Sequence, residues 1–169
     1  GGMGARARKD GKDGVQVHIT NTSNLPVESI EQEYPLRVEE YSLVTDSGGA
    51  GKFRGGMALR RVLVPVDHDC VFNGAGERFR HKPWGLFGGE PGGSGRFLLR
   101  DEAGERRLDD KPGEVRVTPD IRIVIETPGA GGYGPPVERA PEAVERDERS
   151  GKFSAAYIQR HYGAVGSKG

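Results

Sequence analysis

The sequence predicts a mainly β fold: a two-sheet, barrel-like antiparallel body, crossed by glycine-rich extended segments of polyproline-II type and followed by a short helical C-terminal tail. Three observations predict it. Several short stretches alternate apolar and polar residues with the period of two that a half-buried strand requires. Between them lie glycine clusters at 1–4, 46–51, 54–56, 84–89 and 127–136. Beyond the last cluster the alternation stops and a charged, helix-prone run takes over. The expected organisation is an extended arm over 1–14, a β domain over 15–136 and a helical tail over 137–169.

Each element follows from local chemistry. Residues 1–14 are dominated by glycine, lysine, arginine and aspartate, with almost nothing to bury, and read as an arm. Val15 to Thr20 alternates strictly: Val15, Val17 and Ile19 share one face, Gln16, His18 and Thr20 the other, and Asn21 to Asn24 supply turn chemistry. Pro26 to Glu33 admits one short helical turn. Leu36 to Val44 is a strand stopped by Asp46-Ser47-Gly48-Gly49, and Met57 to Val66 is another. Val71-Phe72 marks a weaker strand. Arg96 to Arg100 and Arg106 to Leu108 flank a hairpin loop at Asp101 to Gly104. Glu114 to Thr118 and Ile121 to Glu126 alternate cleanly. In the tail, Pro141 suits a first helical turn and Glu142 to Arg149 continues it. Gly151 breaks the run, and Ser154 caps a second helix through Tyr162 that Gly163 closes.

Composition narrows the function. Glycine supplies 28 of 169 residues, well above the usual ~7%. Glycine has displaced bulky side chains, so the core is thin for the length and the chain is expected to complete itself against a partner. Balanced charge, with 25 basic and 25 acidic residues, gives no footprint for nucleic acid. No run of 18 apolar residues marks a membrane span. Residues 1–14 lack the apolar stretch of a secretory signal, so a cytoplasmic location is expected. A single cysteine, Cys70, excludes an internal disulfide and a multi-cysteine zinc site. The Gly1-Gly2 start is expected to come either from a tag or from a longer protein.

Several motifs invite chemistry. Gly48 to Phe53 approaches a phosphate loop, but Asp46 stands where the first glycine belongs and Phe53 where a magnesium-binding Ser or Thr belongs. A sharp turn between strands is the better reading. The histidines are His18, His68, His81 and His161, and no two of them are at metal-ligand spacing. His68, between Asp67 and Asp69, offers oxygen and nitrogen ligands for a metal or reads as a solvated loop residue, the latter being favoured, and His161 reads as an exposed tail residue. His18 projects from a polar strand face just before Asn21 and Thr22 and can face a cleft. Glu77 to Lys82 places five ionisable side chains ahead of the only tryptophan, Trp84. Such a loop either clamps a carboxylate or phosphate through arginine or docks on an acidic partner with Trp84 as anchor; docking is favoured. Cys70 has no base beside it in the sequence and reads as a structural thiol. No Gly-x-Ser-x-Gly nucleophile elbow occurs.

An ordered set of longer motifs carries a family resemblance. It runs through Gly-Gly-Met-Gly-Ala at 1–5, Asp-Gly at 13–14, Asn-Thr at 21–22, Pro-Val-Glu at 26–28 and Tyr-Pro-Leu-Arg-Val-Glu at 34–39. It continues through 46–56, Pro-Trp-Gly-Leu-Phe-Gly-Gly at 83–89 and 127–136. The chain resembles the hydantoinase B/5-oxoprolinase family, which includes one large subunit type of acetone and acetophenone carboxylases, and the resemblance covers Gly1 to about Gly163. Family members are usually much longer, and this chain is similar to their C-terminal portion. It is therefore either a fragment or a separate small subunit like that of acetophenone carboxylase, the latter being favoured.

The resemblance implies a non-autonomous subunit of an ATP-dependent carboxylase acting on a ketone, with bicarbonate as co-substrate. It implies partners: a hydantoinase A-type subunit carrying the ATP site, and the rest of a hydantoinase B-type subunit. There ATP activates a carbonyl or amide oxygen as a phosphate. ATP and a divalent metal are expected in the partners and no cofactor in this chain; the family's metal-site residues lie N-terminal to the matching portion. The alternative is the equivalent part of a hydantoinase or 5-oxoprolinase, where water opens the activated ring. A purely structural scaffold and a β-barrel binding module are the alternatives from other classes. No catalytic residue carries over. The residues expected to line a substrate channel are His18, Asn21, Thr22, Arg78 and Trp84.

Overall fold

The computed structural model describes residues 1–16 and 22–163. Element order is α1 (Val27–Glu33), β1 (Leu36–Val44), β2 (Ala58–Pro65), β3 (Cys70–Phe72), β4 (Arg96–Asp101), β5 (Gly104–Arg107), β6 (Val115–Val117) and β7 (Arg122–Glu126). A 3-10 turn (Pro136–Glu138), α2 (Pro141–Arg149) and α3 (Ala155–Tyr162) follow. The strands form one five-stranded sheet, ordered β1-β2-β7-β4-β5, and a two-stranded ribbon of β3 and β6. All pairings are antiparallel. Two sheets are therefore present as expected, but among the described residues they do not close a barrel: β1 and β5 are free edges. The strand expected at 15–20 lies outside the described residues apart from Val15 and Gln16, which belong to no strand.

The sheet's two faces are built differently. On one, Leu99 and Ile123 pack with Val117 of the ribbon to form an apolar core. On the other, Val62, Leu98 and Val124 form a small cluster in a field of ion pairs. Glu126 lies opposite both Arg60 and Arg96 in the register and accepts from both guanidiniums. Cross-strand pairs of opposite charge support such a ladder.

The glycine clusters form their own layer. The segment 128–134 runs through its middle, tied by backbone hydrogen bonds to three others. Ala5 N–H donates to Gly131 O (3.0 Å), Gly49 N–H to Ala130 O (2.8 Å), Gly132 N–H to Glu90 O (2.9 Å) and Leu86 N–H to Gly132 O (2.9 Å). Only glycine permits this spacing. A Cβ on Gly131 would stand 1.8 Å from Trp84 O, and one on Gly49 2.2 Å from Glu90 O. Side-by-side packing through backbone bonds is what the glycine-rich sequence led one to expect.

The tail closes this layer. Ser154 caps α3 by accepting from Tyr157 N–H, and its own N–H and Oγ–H donate to the Asp46 carboxylate at 2.7 Å each. Although the tail is poor in apolar residues, it places Val144, Phe153 and Tyr162 in a buried cluster with Ala50 and Met57. The arm is held by its carboxylates: Asp13 Oδ1 accepts from Met57 N–H (2.8 Å), and Asp10 Oδ1 accepts from Arg54 N–H (2.9 Å). A run with almost nothing apolar to bury is thus fixed by polar bonds instead.

Candidate functional site

The loop from Glu77 to Trp84 is anchored by one buried ring. Phe79 packs edge-on against Phe97 of β4, ring centroids 4.7 Å apart. Gly76 and Gly95 make room for it; a Cβ on either would lie within 2.4 Å of the ring. With Phe79 fixed, its neighbours are forced outward. Arg78 adopts φ 60°, an uncommon conformation for a residue with a side chain, and its guanidinium lies 4.5 Å above the Trp84 ring. Two residues singled out from the sequence are thereby joined in a cation–π contact.

Beside this pair opens a cleft of about 930 Å³. Arg78, Arg80 and His81 line one side, Arg107, Asp109 and Lys111 the other. Lys111 pairs with Glu77 at 3.7 Å and Arg107 with Asp110 at 3.0 Å. The walls are charged and the cations outnumber the carboxylates. Such a cleft suits a carboxylate, a phosphate or an acidic protein surface.

The other expected channel residues do not join it. His18 and Asn21 lie outside the described residues. Thr22 is exposed on irregular backbone and does not line the cleft. His161 corrects the sequence reading: it is not an exposed tail residue. Its Nδ1 lies 2.6 Å from Glu90 Oε2, and its ring packs on Tyr157 at 4.1 Å. Both side chains line a second cleft of about 420 Å³ between α3 and the glycine layer. The four-residue spacing of Tyr157 and His161 on one helical face was the available signal; the missing information was that this face meets Glu90.

Other candidates resolve toward structure. Most of the amides that a phosphate loop would offer are already used. Gly49 N–H donates to Ala130 O, Lys52 N–H to Gly134 O, and Gly51 N–H to the Tyr162 hydroxyl at 3.1 Å. His68 Nδ1 bonds Val66 O at 3.0 Å, and Asp69 pairs with Arg116. Burial, with the charge of Asp69, pushes the Cys70 thiol up, so it stays protonated at neutral pH. That fits a structural thiol. No helix among the described residues is long and apolar enough to cross a membrane.

Comparison with known proteins places this architecture. A family model described as hydantoinase B/oxoprolinase matches residues 1–136. The B-type subunit of the putative D-/L-hydantoinase of Pseudomonas sp. (strain NS671) is 36% identical over 168 residues, covering 98% of this chain and 28% of that protein. The crystal structure of the ATP-dependent caprolactamase from Pseudomonas jessenii superposes with a TM-score of 0.75 at 30% identity. It covers 99% of this chain and 30% of that one. Nucleotide-free acetone carboxylase gives a TM-score of 0.81 over 96% of this chain and 26% of that one. At 22% identity this likeness is one of fold. The chain spans about a quarter of the length of the curated relatives it matches.

Proposed function

The chain belongs to the hydantoinase B/oxoprolinase family, and from that premise we propose that it works as part of a hydantoinase B-type subunit in a multi-subunit, ATP-dependent enzyme that opens a cyclic amide. The observation that carries this reading is the 36% identity to a hydantoinase B-type chain along 98% of the sequence. The caprolactamase likeness, at 30% identity, points to the same bond type. In this reaction class ATP converts the poorly electrophilic amide into an activated phosphate, and water then opens the ring.

ATP and a divalent cation belong to the partner subunits in this reading. The glycine run here does not fit a nucleotide phosphate, because the amides of Gly49, Gly51, Lys52 and Phe53 are engaged within the protein. The partners are a hydantoinase A-type subunit and the remainder of the B-type polypeptide, in a cytoplasmic assembly. This chain contributes a rigid glycine-layered body and the charged cleft beside Arg78. Ketone carboxylation with bicarbonate, the reaction favoured from the sequence, is the second reading. The motifs that carry the family resemblance are common to both reactions, and acetone carboxylase shares the fold.

The test is substrate-stimulated ATP hydrolysis by the native assembly. Stimulation by hydantoin, 5-oxoproline or caprolactam, with matching ring opening, supports the first reading. Stimulation only by bicarbonate together with acetone or acetophenone replaces it with the second.

A further inference from the structure

Leu86-Phe87-Gly88-Gly89 forms a tight turn. Gly89 N–H donates to Leu86 O at 2.9 Å, and the two central residues both have positive φ, 51° at Phe87 and 89° at Gly88. That is a type I′ turn, whose first central position favours Asn, Asp or Gly. A phenylalanine there is a conformational outlier. The turn is nevertheless held rigidly. Leu86 N–H donates to Gly132 O (2.9 Å), Gly134 N–H donates to Leu86 O (3.0 Å), and the Phe87 ring rests 5.1 Å from that of Tyr133.

The result is an apolar tip aimed at solvent. Phe87 is 74% exposed, Trp84 63% and Leu86 47%. Strained backbone and exposed apolar surface are both unfavourable in an isolated chain, and both persist where a binding surface needs them. The tip follows directly on a run of exposed basic side chains in the same loop, Arg78, Arg80, His81 and Lys82. Arg78 lies over Trp84, and no salt bridge among the described residues engages Arg80, His81 or Lys82.

We propose that the Trp84–Phe87 tip is a preorganised docking element that inserts into an apolar, acid-rimmed pocket on the remaining part of the hydantoinase B-type polypeptide. This rests on the reading of the chain as part of such a polypeptide. The basic run that leads into the tip, Arg78 to Lys82, selects an acidic surround by charge complementarity. The relatives supply a large body for it: about three quarters of each B-type relative lies outside the matched portion. Large exposed aromatics beside arginine are the residue types that dominate such contacts.

The experiment places the photo-crosslinker p-benzoylphenylalanine at Phe87 in the native assembly and identifies the captured segment by mass spectrometry. Capture of an acidic segment of the B-type polypeptide is expected. Hydroxyl-radical footprinting should show Phe87 and Trp84 protected at least fivefold, after correction for intrinsic reactivity, relative to Val71 and Tyr34, which are 55% and 50% exposed elsewhere. Phe87→Gly and Phe87→Asn both suit positive φ, so they keep the turn and remove only the ring; each should weaken the assembly at least tenfold. Capture of a second copy of this chain, capture of nothing, or unprotected Phe87 with full-strength assembly of both variants overturns the proposal. Capture as expected in an assembly without amide-stimulated ATP hydrolysis leaves the docking element standing and removes the enzymatic reading instead.

Discussion

Arg139 grips Asp10 through two parallel hydrogen bonds, Nη1 to Oδ1 at 2.8 Å and Nη2 to Oδ2 at 2.9 Å, across 129 residues of sequence. The same guanidinium bonds Asp147 Oδ2 at 2.5 Å, and Asp147 Oδ1 accepts from Arg54 Nε at 3.0 Å. Arm, glycine layer and tail therefore meet at one buried network. Burial alone would raise the Asp10 pKa; the bonds and charge of Arg139, with the Arg54 N–H, outweigh it and hold the carboxyl below its usual range. A folded value below the unfolded one stabilises the fold above about pH 4, and that contribution is lost as pH falls through the folded value. Asp10→Asn is expected to destabilise the protein at pH 7 and to lose that effect as pH falls through the folded value, read by thermal melts across pH. Asp147→Ala removes the carboxylate shared by two buried arginines, which keep Asp10 and Asp13 as their remaining partners, and should cost about 1.5–3 kcal/mol at pH 7.

The glycine layer predicts a sharp contrast between positions. Gly131→Ala and Gly49→Ala drive a methyl group into backbone that cannot retreat, and both variants should fail to fold or assemble. Gly113→Ala meets nothing within 4 Å and should melt like the wild type. Equal behaviour of all three in circular dichroism and size-exclusion profiles would remove the packing account.

These contrasts also mark how far the sequence alone was legible. The breaker at Asp46-Ser47-Gly48-Gly49 marked off β1, and Ser154 gave the start of α3, because both signals are local. The side-by-side glycine packing was legible too, since little else accommodates such density. Closure was not. Whether β1 meets β5 depends on strand tilt and long-range pairing, which alternation does not encode. The Asp10–Arg139 pair and the His161–Glu90 contact were hidden for the same reason. Charged residues carry no periodicity that names a distant partner. Phe79 was the missed organiser of the Arg78 loop; its small neighbours Gly76 and Gly95, 19 residues apart, were a signal visible only once the ring was placed.

Tyr162 gives an alkaline counterpart to Asp10. Burial pushes its hydroxyl up to about 12, while the Gly51 N–H bond and the charge of Arg139 pull the other way. A raised folded value stabilises the fold below the unfolded value of 10.0, and the contribution is lost as pH climbs toward 12. Tyr162→Phe leaves the Gly51 N–H without its acceptor and should cost about 1–3 kcal/mol at pH 8. Its stability should then fall less steeply than the wild type between pH 10 and pH 12, as measured by denaturant melts.

The Arg78–Trp84 pair separates scaffolding from a part in the active cavity. If the cleft contributes to substrate handling, Arg78→Ala in the intact assembly should lower kcat/KM at least tenfold while the assembly keeps its composition. Unchanged kinetics in an intact assembly would make the loop an assembly element alone.

Native mass spectrometry of material purified gently from its source decides whether this chain works, as proposed, as part of a hydantoinase B-type polypeptide in an ATP-dependent enzyme. The expected result is an assembly that holds this sequence together with the rest of a B-type polypeptide and an ATP-binding subunit, and that hydrolyses ATP when given a cyclic amide. Recovery of this sequence only as a free body of 18.2 kDa, folded and without partners, would contradict it.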